Sequence, residues 1–288
     1  MRPNRVLRSG LLPFLLTLSF CCLAGGSGMA APRNFWIDSR TGDDTQDGTS
    51  PRRAWRTLER LSRCSLQPGD VVSFARGSRF DGCLEVHASG SAAAPIRFTS
   101  YGRKRLPAPL FTNSDTTGFG NCIRLRGDYL HVGQLAFAHT LAEIPHRHRI
   151  GSFIDMWQLG AVVVDSSARH CVIRGCEFTD CGVGIKSNGE YTLIEGNYLH
   201  DCTRTLKQWS WGPIAVWLGA DHQEVRYNVI RNYRAEDASI VWKTVGPLGA
   251  DGGAIEVDDG RAPKHDIAIH HNFSQGNQGF LEVTYKDV

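Results

Sequence analysis

Short apolar segments broken by single polar residues recur along the chain beyond residue 120, and none keeps a helical period. Val172-Ile173-Arg174-Gly175-Cys176-Glu177-Phe178 is matched by Leu193-Ile194-Glu195-Gly196-Asn197-Tyr198-Leu199. Glu224-Val225-Arg226-Tyr227-Asn228-Val229-Ile230 and Ala268-Ile269-His270-His271-Asn272-Phe273-Ser274 follow, and Leu130-His131-Val132-Gly133-Gln134-Leu135-Ala136 is a weaker copy. The anchor position runs 134, 176, 197, 228 and 272, in steps of 42, 21, 31 and 44. The step of 21 is a bare repeat, and the longer steps carry insertions or two repeats. Such a unit is too short for a strand–helix–strand crossover and cannot bury its apolar face alone. Stacked β-coils can, with neighbouring strands about 4.8 Å apart. Asn197, Asn228 and Asn272 fit a turn whose amides bond to one another or to backbone, a structural role.

A second strand follows a glycine or proline in most coils, at Gly184–Ser187, Pro213–Leu218, Gly253–Asp258 and Gly279–Thr284. Alternation turns Ile185, Ile255, Val257, Leu281 and Val283 inward. Lys186, Glu256, Asp258 and Glu282 then point outward on one sheet face. Nearer the start, Phe35–Asp38 reads as a strand and Gly42–Pro51 as a turn-rich loop. Trp55, Leu58 and Leu61 share one face of a short amphipathic helix. Gln67-Pro68-Gly69-Asp70 is a turn, with strands at Val71–Phe74 and Pro95–Ser100.

The first residues look like an export signal. Arg2, Arg5 and Arg8 precede the apolar run Leu11–Ala24 and the small-residue stretch Gly25–Ala31, so cleavage is expected after Ala30 or Ala31. The expected organisation is a signal peptide at 1–30, an N-terminal cap and first coils at 31–120, and coils at 121–288. No obvious C-terminal cap precedes Val288, which reads as truncation or end-to-end association. No other segment is apolar enough to span a membrane. The leader also corrects the charge. The whole chain carries 32 basic and 29 acidic residues; without three leader arginines the balance is 29 to 29. A general nucleic-acid binder is thereby excluded, and 41% hydrophobic content excludes a disordered chain. Seven cysteines lie beyond the leader, so export makes disulfides plausible and an odd count leaves one free. Cys181 and Cys202 occupy matching repeat positions, as a disulfide or a buried thiol ladder. Cys64 and Cys83 are a candidate clip between the helix and the first coil.

Trp36-Ile37-Asp38, Gly42-Asp43-Asp44, Gly48-Thr49-Ser50-Pro51, Trp55-Arg56-Thr57-Leu58, Gln67-Pro68-Gly69-Asp70 and Phe74-Ala75-Arg76-Gly77 together resemble the N-terminal part of secreted right-handed parallel β-helix proteins of the pectate-lyase-like superfamily. The repeats look like that superfamily's coils. The resemblance implies an all-β solenoid with a short cap containing one small helix. It also implies a carbohydrate-active setting, although the superfamily spans polysaccharide lyases, glycoside hydrolases, epimerases and non-catalytic adhesins.

The densest chemistry is Asp251-Gly252-Gly253-Ala254-Ile255-Glu256-Val257-Asp258-Asp259, with Glu282 in the next coil. Carboxyl groups of Glu256 and Glu282 stacked about 5 Å apart suit a retaining glycosidase, with Asp251 beside them. The same acids, Asp258 and Asp259 above all, are candidate Ca²⁺ ligands. Lys186 projects from the same predicted face. Many lyases of the resembled superfamily pair a Lys or Arg base with Ca²⁺-binding acids, which makes Lys186 a catalytic candidate. Four of the seven tryptophans fall within residues 209–242. Trp211, Trp217 and Trp242, with Lys243, are the candidate sugar-binding residues, because flat aromatic faces stack on sugar rings. Ile144–Arg149 is a basic loop, read as a solvated linker. The expected function is cleavage of a polysaccharide in an exposed groove, by hydrolysis or Ca²⁺-assisted elimination. The alternative is a non-catalytic carbohydrate-binding or adhesive solenoid.

Overall fold

The computed structural model describes residues 31–115, 117–142, 158–205, 212–236, 252–258 and 262–283. Residues 32–288 form one compact unit. Three parallel sheets wind around a common axis as a right-handed parallel β-helix. The first sheet has eight strands, from Asn34–Ile37 to Ala268–His270. The second has seven, from Arg79–Asp81 to Phe273–Gln275. The third has seven, from Leu84–Val86 to Leu281–Val283. One strand of each sheet makes one coil. Among the described residues the single α-helix is Leu58–Ser62. Thr57 Oγ1 caps it by accepting from the Arg60 N–H at 3.1 Å. Leu58 and Leu61 are its buried face, as their spacing predicts, whereas Trp55, also buried, precedes the helix and pairs with Ile37 in a parallel bridge instead of sharing that face.

Alternation decides what the coils bury. Val72, Phe98, Val132, Ile173, Ile194 and Val225 stand in successive strands of the first sheet and face inward. In the second sheet Phe80, Phe111, Phe137 and Phe178 stack with centroids 5.1, 5.6 and 4.8 Å apart. Full burial of each such side chain stabilises by roughly 2–3 kcal/mol, and stacked aromatic pairs add somewhat more.

The corner between the first and second sheets is a two-residue turn in five successive coils. Its first residue is left-handed in every one: Gln134, Gly175, Gly196, Tyr227 and His271, with φ of 59, 63, 63, 55 and 54°. Its second residue is asparagine in the last three of these coils and builds an amide ladder there. Asn197 Nδ2 donates to Asn228 Oδ1 at 2.9 Å, and Asn228 Nδ2 donates to Asn272 Oδ1 at 2.9 Å. The same oxygens accept backbone N–H groups from the preceding coil, Asn197 Oδ1 from Cys176 at 2.9 Å and Asn228 Oδ1 from Asn197 at 2.9 Å. The three asparagines thus have the structural role expected of them.

His131 pairs with Val172, so Leu135, not Gln134, stands opposite Cys176. Leu135 carries no amide, and the weak copy was aligned one residue early. The long steps also hold one coil each; none holds two. All seven cysteines beyond the leader are free. Cys181 and Cys202 stack as buried thiols, and Cys64 and Cys83 form no clip. Burial pushes the thiols of Cys171, Cys176 and Cys181 up to about 12 and that of Cys202 to about 11. No helix among the described residues is long and apolar enough to cross a membrane.

Candidate active site on the third sheet

The outward row of the third sheet collects the predicted chemistry. Register aligns Glu85, Arg124, Val163, Lys186, Trp217, Glu256 and Glu282 in seven successive strands. Glu256 and Glu282 are therefore direct neighbours, one strand spacing of about 4.8 Å apart. Lys186 lies two coils from Glu256, with Trp217 between them. Glu282 Oε2 accepts the Gly252 N–H at 3.0 Å, which fixes that carboxylate beside the start of the preceding strand.

This row points out of the solenoid, yet much of it is closed to solvent. Lys186 and Trp217 are 0% exposed and Glu256 is 3% exposed. An outward face was expected to be an open groove. Instead Trp217 joins Ala142, Leu159, Val183 and Ile214 in a second apolar cluster outside the main core. Trp217 is thus not an exposed sugar platform. Its ring carries the Lys186 ammonium, Nζ lying 3.9 Å from the ring centroid. The same Nζ is 3.4 Å from the Asp258 carbonyl oxygen, two coils away. Gly160 makes room for this lysine. Its φ is 153°, and a Cβ there would come within 3.1 Å of the Lys186 Cβ and of Val163 Cγ2. Asp258 itself is buried, and its N–H donates to the Leu218 carbonyl at 2.9 Å.

The opposite end of the row carries an ion-pair cluster that the sequence reading missed. Arg124 Nη2 and Nε reach Asp165 Oδ2 at 2.9 and 3.1 Å, Arg126 Nη1 reaches it at 3.5 Å, and Arg126 Nε pairs with Glu85 at 3.1 Å. Burial alone would raise the Asp165 carboxyl, but the Arg124 hydrogen bonds and the two guanidinium charges hold it below the usual carboxylate range. Arg124 sits in the same period-two row as Lys186. Extending the coil pattern back before residue 130 would have found it.

Of the other candidates, Asp251, Trp211, Trp242, Lys243 and Asp259 lie outside the described residues, as do the leader and the Ile144–Arg149 loop. Among the described residues no three His, Cys, Asp or Glu side chains converge as a metal site. Asp258 presents its carbonyl to an ammonium, an arrangement that disfavours a second cation at that oxygen.

The fold is the right-handed parallel β-helix that the motifs implied. No protein-family model matches the chain. A lacto-N-biosidase of Bifidobacterium longum subsp. longum is 32% identical over 88 residues, covering 29% of this chain and 6% of that protein. The chain thus spans a small part of that relative's length. Among solved structures, a GH136 lacto-N-biosidase from Eubacterium ramulus aligns with a TM-score of 0.47 at 15% identity, over 86% of this chain and 57% of that one. An alginate lyase from Paenibacillus sp. str. FPU-7 aligns with a TM-score of 0.47 at 18% identity, over 83% and 75%.

Proposed function

We propose that this protein is a secreted polysaccharide-processing enzyme that cleaves glycosidic bonds along the third sheet. The observation that carries the reading is the register of Glu256 against Glu282 in the row that also holds Lys186 and Trp217. Paired backbone positions one strand apart allow the separation of about 5–5.5 Å between carboxyl groups that retaining glycosidases use. Carboxyl groups at that separation would push each other's pKa values apart, the condition for dividing the roles of acid and nucleophile between them. The protonated partner serves as general acid and the charged one as nucleophile. Glu256, the more buried, suits the acid; Glu282, held by the Gly252 N–H, suits the nucleophile. Lys186 stands in the same row, its ammonium held over the Trp217 ring and against the Asp258 carbonyl in the coil of Glu256. The sequence similarity to a protein named for glycosidase activity supports hydrolysis over elimination.

Export rests on the leader, Arg2, Arg5 and Arg8 ahead of the apolar run Leu11–Ala24. The test is product analysis over neutral and acidic polysaccharides, with and without EDTA. New reducing ends without an unsaturated, ultraviolet-absorbing product, unchanged by EDTA, are expected. An unsaturated product lost with EDTA would replace hydrolysis by cation-assisted elimination. Glycan binding without any product would make the solenoid a carbohydrate-binding module.

A further inference from the structure

A second groove runs along the opposite part of the molecule, at the corner between the first and second sheets. It has a volume of about 380 Å³ and is lined by Arg76, Gln134, Gly175, Glu177, Gly196 and Tyr198 among others. These residues come from the first to the fifth coil, so the groove extends about 19 Å along the axis at one strand spacing per coil. None of them belongs to the third-sheet row.

Its depth comes from two missing side chains. Gly175 and Gly196 occupy the left-handed position of the corner, which usually invites glycine. Here the backbone does not demand it, because Gln134, Tyr227 and His271 hold the same position in neighbouring coils at nearly the same φ. Packing does not demand it either: a Cβ on Gly175 or Gly196 would meet nothing within 4 Å. Beyond Gly196 the row resumes with Tyr227, whose side chain is 54% exposed. The glycines therefore clear a channel in a row that otherwise carries large groups.

The channel has a floor built for a flat ligand. Tyr198 is 37% exposed and lies on the His200 ring, with centroids 4.0 Å apart and planes 15° apart. His200 is fixed in turn by Asp201 Oδ2 at 2.8 Å, Thr179 Oγ1 at 3.0 Å and Glu177 Oε1 at 3.3 Å. A rigid aromatic face costs little ordering entropy when a sugar ring stacks on it. The Glu177 carboxylate stands beside it, the Gln134 amide two coils away and the Arg76 guanidinium at the far end of the groove, a lining close to charge balance.

We propose that this groove is a binding subsite for a neutral, hydroxyl-rich glycan chain, distinct from the third-sheet row. The choice of a glycan rests on the carbohydrate reading above. The preference for neutral over uronate chains rests on Glu177, whose carboxylate flanks the Tyr198 platform and would repel a chain of acids.

The test titrates full-length Glu256→Gln protein, which should bind without turnover, by calorimetry. The probes are cellohexaose, laminarihexaose and mannohexaose as neutral glycans and hexagalacturonate as an acidic one. A neutral probe should bind, and Tyr198→Ala should weaken that binding at least tenfold. Gly196→Gln, which puts in the groove a side chain that coil three already accepts at this position, should do the same. Melting curves confirm that each variant folds. Neutral binding untouched by both variants, binding of hexagalacturonate alone, or no binding overturns the proposal. Cleavage failure is read separately: wild-type protein that binds in the groove but cleaves nothing refutes the enzymatic reading and leaves the groove standing.

Discussion

The corner between the first and second sheets and the outer row of the third sheet are built from the same coils to opposite ends. At the corner the chain turns in two residues in five successive coils, as from Arg174 to Glu177, from Glu195 to Tyr198 and from Arg226 to Val229. Every ladder amide has both a side-chain or backbone donor and a carbonyl partner. On the third sheet, connections vary from the short Asp180–Gly182 to the long stretch between Tyr233 and Gly253. The row they approach buries a lysine, a tryptophan and a glutamate outside the main core. Burying charge is costly and does not arise for stability alone. The amide ladder holds the fold at the corner, and the third-sheet row is where the proposed cleavage chemistry lies.

The contrast can be broken from either side. The largest effect should come from the row: Glu256→Gln should lower the rate of glycan cleavage by about 10²–10⁴-fold while moving the melting temperature little, measured by reducing-end release and calorimetry. A similar loss from a corner substitution at unchanged stability would dissolve the distinction. Next is Asn228→Ala. It removes an oxygen that accepts two N–H bonds from Asn197 and an amide that donates to Ile194 and Asn272. A loss of about 3 kcal/mol is expected, or roughly 9 °C in Tm for a chain of this size. Substrate affinity of the folded fraction should be unchanged.

A smaller effect belongs to the cap. Asp70 is 1% exposed and accepts from Arg33 Nη2 at 2.6 Å, from Arg33 Nε at 3.1 Å and from the Gln67 N–H at 2.8 Å. Burial would raise its carboxyl, but those hydrogen bonds outweigh it and hold the group below its ordinary range. A folded-state value below the unfolded one of about 3.9 contributes stability above that pH. The contribution fades as pH falls through the folded value. Acid unfolding of Asp70→Asn should therefore depend less on pH below about 4 than that of the wild type. The mildest test is chemical: in native protein a maleimide should label Cys83 first and Cys64 more slowly. Cys122, Cys171, Cys176, Cys181 and Cys202, all buried, should react only after unfolding.

Much of this was legible in the residues. Period-two alternation placed Lys186, Glu256 and Glu282 on one face, and the recurring asparagines marked the ladder. Both signals are local and repeat at each coil. The register of Gln134 was misread because Leu135 lacks the amide that marks its equivalents. The burial of Trp217 and Lys186 was not legible, because alternation tells which side of a strand a residue takes and not what packs against that side. Arg124 and Asp165 escaped because 41 residues separate them, a pairing that only the coil geometry brings together. The second groove was invisible for a similar reason. Two glycines in a left-handed turn look like backbone necessity until their neighbours in the stack are seen to do without them.

The central claim is that Glu256 and Glu282 act together across one strand spacing. The most direct measurement is the anomeric configuration of the first-formed product, followed by proton NMR during cleavage of a susceptible glycan. Retention of configuration, lost with either Glu256→Gln or Glu282→Gln, is the predicted result. Inversion, an unsaturated product, or full activity in both variants would contradict it.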